Sequence, residues 1–116
     1  MSQYDDFQST QTAGLEGGLR LMESIIGGRW NPMILFAIEQ GAARFTDIRA
    51  NVSEISDTEL RRKLAALTDS RLIIKSSPEE DARRSEYALT DFGGEITHTL
   101  RHILAISQKH GDMAPS

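Results

Sequence analysis

The side chains with the clearest chemical potential in this sequence are three consecutive cations, Arg61, Arg62 and Lys63. A guanidinium group donates hydrogen bonds in a fixed planar geometry, which suits phosphate oxygens and the edges of guanine bases. Two acids, Asp57 and Glu59, stand just before the cations, so the cluster can also be interpreted as an ordinary salt-bridged helix surface. Its chemistry therefore depends on which of these side chains are free to meet a polyanion.

Residues 56–69 carry the pattern of a helix with one buried side. Ser56 and Glu59 form an S-x-x-E capping box, which marks a helix start. The apolar stripe of this helix recurs at helical spacing and consists of Leu60, Leu64 and Leu67. At about 100° per residue, Thr58 and Arg62 lie on the side opposite this stripe. The predicted helix thus turns a polar, partly basic side outward.

Charge pairing along this helix predicts which cation is available. Asp57 and Arg61 are four residues apart, as are Glu59 and Lys63, and both pairs have the acid first, which is the favourable order. Arg62 has no acid four residues away. We therefore expect Arg62 to be the unpaired cation, with Arg61 as the second candidate for contact with a polyanion.

The overall charge argues only mildly against a nucleic-acid partner. The chain carries a formal net charge of −4 at pH 7. Residues 44–84 nevertheless hold nine of its thirteen Lys and Arg residues, together with eight of its seventeen acids. A local patch of positive electrostatic potential can attract DNA even when the total charge of the protein is negative.

Capping and turn residues predict the order of the elements. We expect Asn31 and Pro32 to begin a central helix, Gly41 to end it, and Thr90 to cap the last helix. The short segments "RLIIKSS" and "SEYALT" are typical of two hairpin strands. The predicted order is four helices, a hairpin and a last helix. This is a mainly α fold with a small β-hairpin, the layout of a winged helix-turn-helix.

Many positions match a known family. The segment "GGRWNPMILFAIEQGAARFTDIRANVSEISDTELRRKLAALTDSRLI", followed by "RRSEYALTDFG", resembles the HxlR-type winged helix-turn-helix regulators of bacteria. The resemblance runs from about Leu19 to Lys109. The matching positions are Gly28, Arg29, Trp30, Ile34, Leu35, Gly41, Arg44, Phe45, Ile48, Ile55, Ser56, Leu60, Leu64, Leu67, Leu72, Glu86, Tyr87, Leu89 and Thr90.

The resemblance implies a dimeric DNA-binding transcriptional regulator, and our hypothesis is a cytoplasmic homodimer on an inverted-repeat operator. Recognition helix 56–69 would enter the major groove of double-stranded DNA, and wing 76–85 would touch the backbone. The residues expected to contact DNA are Arg44, Ser56, Asp57, Thr58, Arg61, Arg62, Arg83 and Arg84. The residues expected at the dimer contact of the first and last helices are Leu19, Met22, Ile25, Ile26, Leu100, Ile103 and Leu104.

Departures from the family pattern carry expectations of their own. Many relatives use an N-terminal cysteine for sensing, and this chain has no cysteine, so we expect no thiol-based sensor. Thr58 stands where a basic residue is common, so base specificity is not transferred from relatives. Arg71 stands where a glycine usually ends the recognition helix. If Arg71 keeps a positive φ, the strain costs on the order of 1 kcal/mol.

The expected organisation is a flexible arm over 1–14, one DNA-binding domain over 15–110 and a flexible tail over 111–116. His98 and His102 follow Glu95 at helical spacing, which is an incomplete ligand set, and we expect neither a metal nor a cofactor. The motifs of an enzyme are absent, and the apolar runs are too short for a membrane span.

Two alternatives stay open. The first is a winged-helix module that binds protein without specific DNA binding, favoured by the acidic net charge and by Asp57. The second concerns control: a small-molecule effector is compatible with the sequence but unidentified, and no pocket is recognisable from the residues alone.

Overall fold

The computed structural model describes residues 12–26, 28–78, 80–81 and 84–111. These residues form α1 (Thr12–Ile26), α2 (Trp30–Glu39), α3 (Phe45–Asn51), α4 (Asp57–Asp69), β1 (Ile73–Ser76), β2 (Glu86–Leu89) and α5 (Asp91–His110). The predicted order of elements is confirmed. Helix α1 begins at Thr12, so residues 12–14 are helical although the arm was expected to reach 14. The rest of that arm, and the predicted tail beyond Gly111, lie outside the described residues.

Helix α2 ends at a glycine turn, as its sequence predicts. Gly41 has φ 110° and follows the helix, and its N–H donates to the carbonyl of Ile38 at 3.0 Å. The N–H of Ala42 donates to the carbonyl of Ala37 at 3.0 Å, which completes a Schellman motif. The predicted stop at Gly41 is therefore confirmed, because only a residue with positive φ can close this motif.

The predicted N-cap at Asn31 is wrong. Helix α2 already begins at Trp30, and Asn31 is a buried residue of its first turn. The Asn31 side chain donates a hydrogen bond to the carbonyl of Ser24 in α1 instead of accepting one from its own helix. A contact between two helices has thus replaced the local cap that the sequence favoured. Pro32 is tolerated because the first turn of a helix needs no N–H donor there.

The core lies between α2 and the elements around it. It contains Ile25, Ile34, Leu35, Ala37, Ile38, Ala42, Ile48, Val52, Ile55, Leu60, Leu64, Leu67, Leu72, Ile73 and Leu100. A bidentate ion pair, with both N–O distances 2.9 Å, joins Arg101 of α5 to Glu39 of α2 at the edge of this core. In the described part of the chain, no helix combines the length and apolar character needed to cross a bilayer.

The hairpin packs as an antiparallel pair in which Ile73 lies opposite Leu89 and Ser76 lies opposite Glu86. The free edge of β2 is also used, since the N–H of Tyr87 donates to the carbonyl of Ala43 at 2.7 Å. This bond ties the hairpin to the segment just before α3. The hairpin and the helix pair α3 and α4 are therefore held in one unit.

The end of α4 and the start of α5 meet at Leu72. Arg71 has φ 64°, and the N–H groups of Arg71 and Leu72 donate to the carbonyls of Thr68 and Leu67, both at 3.0 Å. This is a second Schellman motif, with arginine at the position that glycine usually occupies. The positive φ that the family pattern raised as a condition is therefore present at Arg71.

Thr90 links this turn to α5. Its hydroxyl accepts from the N–H of Gly93 at 2.9 Å, which confirms the predicted cap, and donates to the carbonyl of Arg71 at 2.7 Å. A Cβ atom on Gly93 would lie 1.8 Å from the carbonyl oxygen of Leu72. The helix can approach the turn this closely only because residue 93 has no side chain.

Replacing Arg71 with glycine should stabilise the protein. Glycine removes the steric strain of the left-handed backbone, about 1 kcal/mol. It also gives the unfolded chain freedom that costs about 0.5 kcal/mol, so the net rise in the free energy of unfolding is expected to be about 0.5 kcal/mol. Ser70→Gly is the matched control, since Ser70 is the exposed neighbour with φ −79°. Glycine there should lower the stability by about 0.5–1 kcal/mol, because only the unfolded chain gains freedom. Urea unfolding followed by circular dichroism measures both changes, and an Arg71→Gly protein that is less stable than the parent would contradict the strain.

Adding one methyl group at Gly93 should be strongly destabilising. The Cβ would overlap the backbone of Leu72, so Gly93→Ala is expected to cost about 1–3 kcal/mol or more of unfolding free energy. The adjacent Gly94 has open space at its Cβ position and lies in the same helix. Gly94→Ala should therefore raise the stability by about 0.4–1 kcal/mol. Thermal unfolding of the two variants tests the contrast, and equal melting temperatures would refute the close approach.

Candidate nucleic-acid interface

Helix α4 has one fully buried side and one exposed side. Its buried residues are Leu60, Leu64 and Leu67, which confirms the predicted stripe. The exposed side carries Asp57, Thr58, Arg61, Arg62, Ala65, Ala66 and Asp69. The helix is preceded by α3 and followed by the hairpin, so it occupies the position of a recognition helix.

Arg62 is not the unpaired cation that the sequence predicted. Its guanidinium lies 3.1 Å from a carboxylate oxygen of Glu59, three residues earlier. The prediction considered acids four residues away, but residues three apart also share a helix face. The Arg62 side chain is nevertheless 71% exposed. The predicted pairing of Glu59 with Lys63 is wrong for the same reason, because the carboxylate turns to Arg62.

Arg61 lies over an aromatic ring instead of pairing with Asp57. Its guanidinium carbon is 4.3 Å from the centre of the Phe45 ring. Such a contact contributes about 0.5–1 kcal/mol at an exposed site and holds the guanidinium plane in place. Among the described residues, no carboxylate lies within ion-pair distance of Arg61. Within the described part of the chain, Arg61 and not Arg62 is therefore the arginine of α4 without an acidic partner.

Asp57 forms an ion pair with Arg49 of α3, which the sequence analysis did not identify. The two residues are eight positions apart and lie on different helices. Spacing rules apply within a single helix and cannot predict such a pair. The two side chains meet because the turn between α3 and α4 brings the two helices together. The pair joins the first turn of α4 to α3 and partly neutralises Asp57, the one acid among the residues expected to contact DNA.

The start of each helix of the pair is also fixed by a side chain. The Ser56 hydroxyl accepts from the N–H of Glu59 at 3.1 Å, which confirms the predicted cap of α4. At the start of α3, the N–H of Arg44 donates to the Asp47 carboxylate at 3.4 Å. The Arg44 side chain is exposed, just before the helix that precedes the recognition helix.

The wing is described in part. Arg84 is exposed, and its N–H donates to the carbonyl of Asp81 at 3.1 Å. Arg83 lies outside the described residues. At the base of the wing, Lys75 lies with its ammonium nitrogen 5.8 Å from the centre of the Tyr87 ring. Lys75 was not among the expected site residues.

A second exposed surface lies on α1 and α5. Leu19, Met22, Ile103 and Leu104 are between 44% and 54% exposed, although all four are large and apolar. Two other residues expected at the dimer contact, Ile25 and Leu100, are buried within the core of this chain. The side chain of Ile26 lies outside the described part. Met22 and Ile103 line an apolar groove of about 310 Å³ between the two helices, together with the buried Ile25 and Leu100.

The candidate metal ligands His98 and His102 belong to the described part of the chain. Both are exposed on α5. No group of three or more histidine, cysteine or acidic side chains there could hold a metal ion.

Comparison with known proteins identifies the family. A family model described as HxlR-like helix-turn-helix matches residues 25–114. An uncharacterized HTH-type transcriptional regulator of Methanothermobacter thermautotrophicus is 30% identical over 86 residues, which cover 74% of this chain and 66% of that relative. This chain therefore spans about two thirds of the length of that relative.

Solved structures share the fold. The reduced form of the transcriptional regulator YodB from B. subtilis has a TM-score of 0.71 at 21% identity, over 84% of this chain and 96% of YodB. A quinone-bound form of YodB has a TM-score of 0.67 at 22% identity, over 79% of this chain and 96% of that one. A possible HxlR family transcriptional factor from Thermoplasma volcanium has a TM-score of 0.65 at 27% identity, over 75% and 78% of the two chains.

The family consists of transcriptional regulators, which are generally not enzymes. Its model covers most of the chain, and the described elements form a winged helix-turn-helix. The chain therefore belongs to the HxlR-like helix-turn-helix family of transcriptional regulators, and this membership implies that it binds DNA.

Proposed function

We propose that the protein acts in the cytoplasm as a homodimeric regulator on an inverted-repeat operator, with α4 in the major groove and wing 76–85 on the backbone. The observation that carries the proposal is the exposed side of α4, where Arg61 and Arg62 project from a helix whose other side is buried. A helix of this kind fits the width of the major groove, and guanidinium groups suit guanine edges and phosphates. Thr58 lies on the same exposed side.

The ion pair of Arg62 with Glu59 is compatible with a role in DNA binding. An exposed pair of this type contributes about 0–1 kcal/mol, so Arg62 can exchange Glu59 for a base or phosphate at little cost. Arg61 needs no such exchange, since its guanidinium rests on Phe45 and has no acidic partner among the described residues. We infer that Arg61 is the better positioned of the two side chains.

The protein-binding alternative loses part of its support. Asp57 favoured it because a carboxylate near phosphates repels them. The pair with Arg49 reduces this repulsion at the start of α4. The pair also holds Arg49 of α3 beside the expected interface. We therefore include Arg49 among the residues that orient α4 on DNA.

The homodimer is proposed from the apolar surface of α1 and α5. Large exposed apolar side chains on neighbouring helices are typical of a subunit interface. Leu19, Met22, Ile103 and Leu104 supply this surface, and Ile25 and Leu100 support it from within the core. A two-fold axis through the surface would place two copies of α4 on the two halves of an inverted repeat.

Replacing Arg62 with alanine is expected to weaken operator binding by about 1–3 kcal/mol without unfolding the protein. Fluorescence anisotropy with a fragment of the gene's own upstream DNA measures the change. Lys109→Ala is the matched control, because it removes the same charge from the exposed end of α5. Arg62→Ala with undiminished affinity would remove Arg62 from the proposed interface.

The same titrations at several salt concentrations separate the proposal from the alternative. The logarithm of the DNA-binding constant should fall steeply with the logarithm of salt concentration, by about 0.9 for each phosphate contact. A slope near zero for the parent protein would favour the protein-binding module. For Arg62→Ala, a slope smaller by about 1 indicates a phosphate contact, and an unchanged slope with lower affinity indicates a base contact.

Replacing Leu104 with glutamate is expected to dissociate the homodimer. Leu104 is already 47% exposed in the single chain, so the substitution should leave the fold intact, while a dimer would bury an unpaired charge. Ile74→Glu is the control, since Ile74 is 58% exposed on the hairpin and undergoes the same type of change. Sedimentation velocity measures the mass. A Leu104→Glu protein that stays dimeric, or a parent that is monomeric at every concentration, would contradict the proposed interface.

A further inference from the structure

A groove runs between α4 and the hairpin, on a side of α4 that the apolar surface of α1 and α5 does not touch. Its volume is about 490 Å³, which is within the range of small-molecule sites. The residues that determine its character are Phe45, Arg61, Leu64, Ala65, Lys75 and Tyr87. They come from α3, α4, β1 and β2, so the groove exists only in the folded chain.

Two cations on opposite walls give the groove its charge. Arg61 stands on the α4 wall over Phe45, and Lys75 stands on the hairpin wall beside Tyr87. Neither cation has a carboxylate within ion-pair distance among the described residues. Among the described residues, the one acid that lines the groove is Asp69, eight residues after Arg61 on α4. Eight residues of helix span about 12 Å, so the Arg61 end of the groove is the end that attracts an anion.

The floor of the groove is apolar. Leu64 is buried, while Phe45 and Tyr87 are half-buried and turn part of their rings toward the groove. A bare phosphate would satisfy the two cations but would leave this floor in contact with water. A neutral aromatic molecule would cover the floor but would leave both cations without an anion. The combination fits a flat aromatic body that carries one carboxylate.

We propose that the groove between α4 and the hairpin binds an aromatic carboxylate, with the carboxylate between Arg61 and Lys75 and the ring on the floor formed by Phe45, Leu64 and Tyr87. Occupancy would engage the guanidinium of Arg61 and would therefore weaken DNA binding. This second consequence rests on the proposed function, whereas binding of the carboxylate does not.

The test uses 2-naphthoate as the probe and neutral 2-naphthalenemethanol as its matched control. Titration of the full-length chain, followed by nitrogen–proton NMR spectra, gives both the affinity and the location. We expect saturable binding of 2-naphthoate, with shifts at α4, Lys75 and Tyr87, and binding of the alcohol that is weaker by about fivefold or more.

Two exposed positions provide variants that keep the fold. Lys75→Gln removes one wall cation and should weaken 2-naphthoate binding by about fivefold while leaving binding of the alcohol unchanged. Ala65→Leu fills the groove from the exposed side of α4 and should block both molecules. Circular dichroism verifies that each variant is folded.

Three results would overturn the site: equal affinity for acid and alcohol, no saturation by 2-naphthoate, or shifts confined to the groove between α1 and α5. Operator titrations with and without 2-naphthoate test the coupling separately. A lower operator affinity in its presence supports competition for Arg61, and an unchanged affinity refutes it. If the chain binds no specific DNA at all, the proposed function fails, while the NMR result still decides the site.

Discussion

The carbonyl group of Leu72 is the point where the recognition helix, the hairpin and the last helix meet. It accepts from the N–H of Thr90 at 3.1 Å. It also lies so close to Gly93 that a side chain at that position would overlap it. One residue earlier, Arg71 closes α4 with a positive φ, and its carbonyl accepts from the Thr90 hydroxyl. These contacts fix the directions of α4, β1 and α5 together. The proposed DNA-reading side and the proposed dimer surface are therefore parts of one rigid arrangement.

The charges around α4 are organised between elements as much as along the helix. Asp57 pairs with Arg49 of α3, and Arg61 rests on Phe45 at the start of the same helix. Only the pair between Glu59 and Arg62 is internal to α4. The acids therefore do not simply cancel the basic cluster. Asp57 positions Arg49 and Glu59 positions Arg62, whereas Arg61 is held by the Phe45 ring.

The element order and most element ends were predictable because their causes are local. Gly41, Ser56 and Thr90 act through bonds to backbone groups within a few residues, and each has the expected role. For Arg71 the family pattern gave only the condition of a positive φ, and the motif that ends α4 requires it whatever the side chain. Asn31 failed as an N-cap because a carbonyl of another helix competes for its side chain. The predicted charge pairs failed because they considered a single spacing within a single helix.

The winged helix-turn-helix and the basic outward side of α4 could be predicted from residue patterns alone, since hydrophobic periodicity, caps and turn residues act over short distances along the chain. The packing of the elements decided that Arg61 rests on Phe45, that Asp57 pairs with Arg49, and that Lys75 and Arg61 line one groove. These are contacts between residues on different elements. Their geometry depends on how helices and hairpin pack, and spacing along one element does not contain that information.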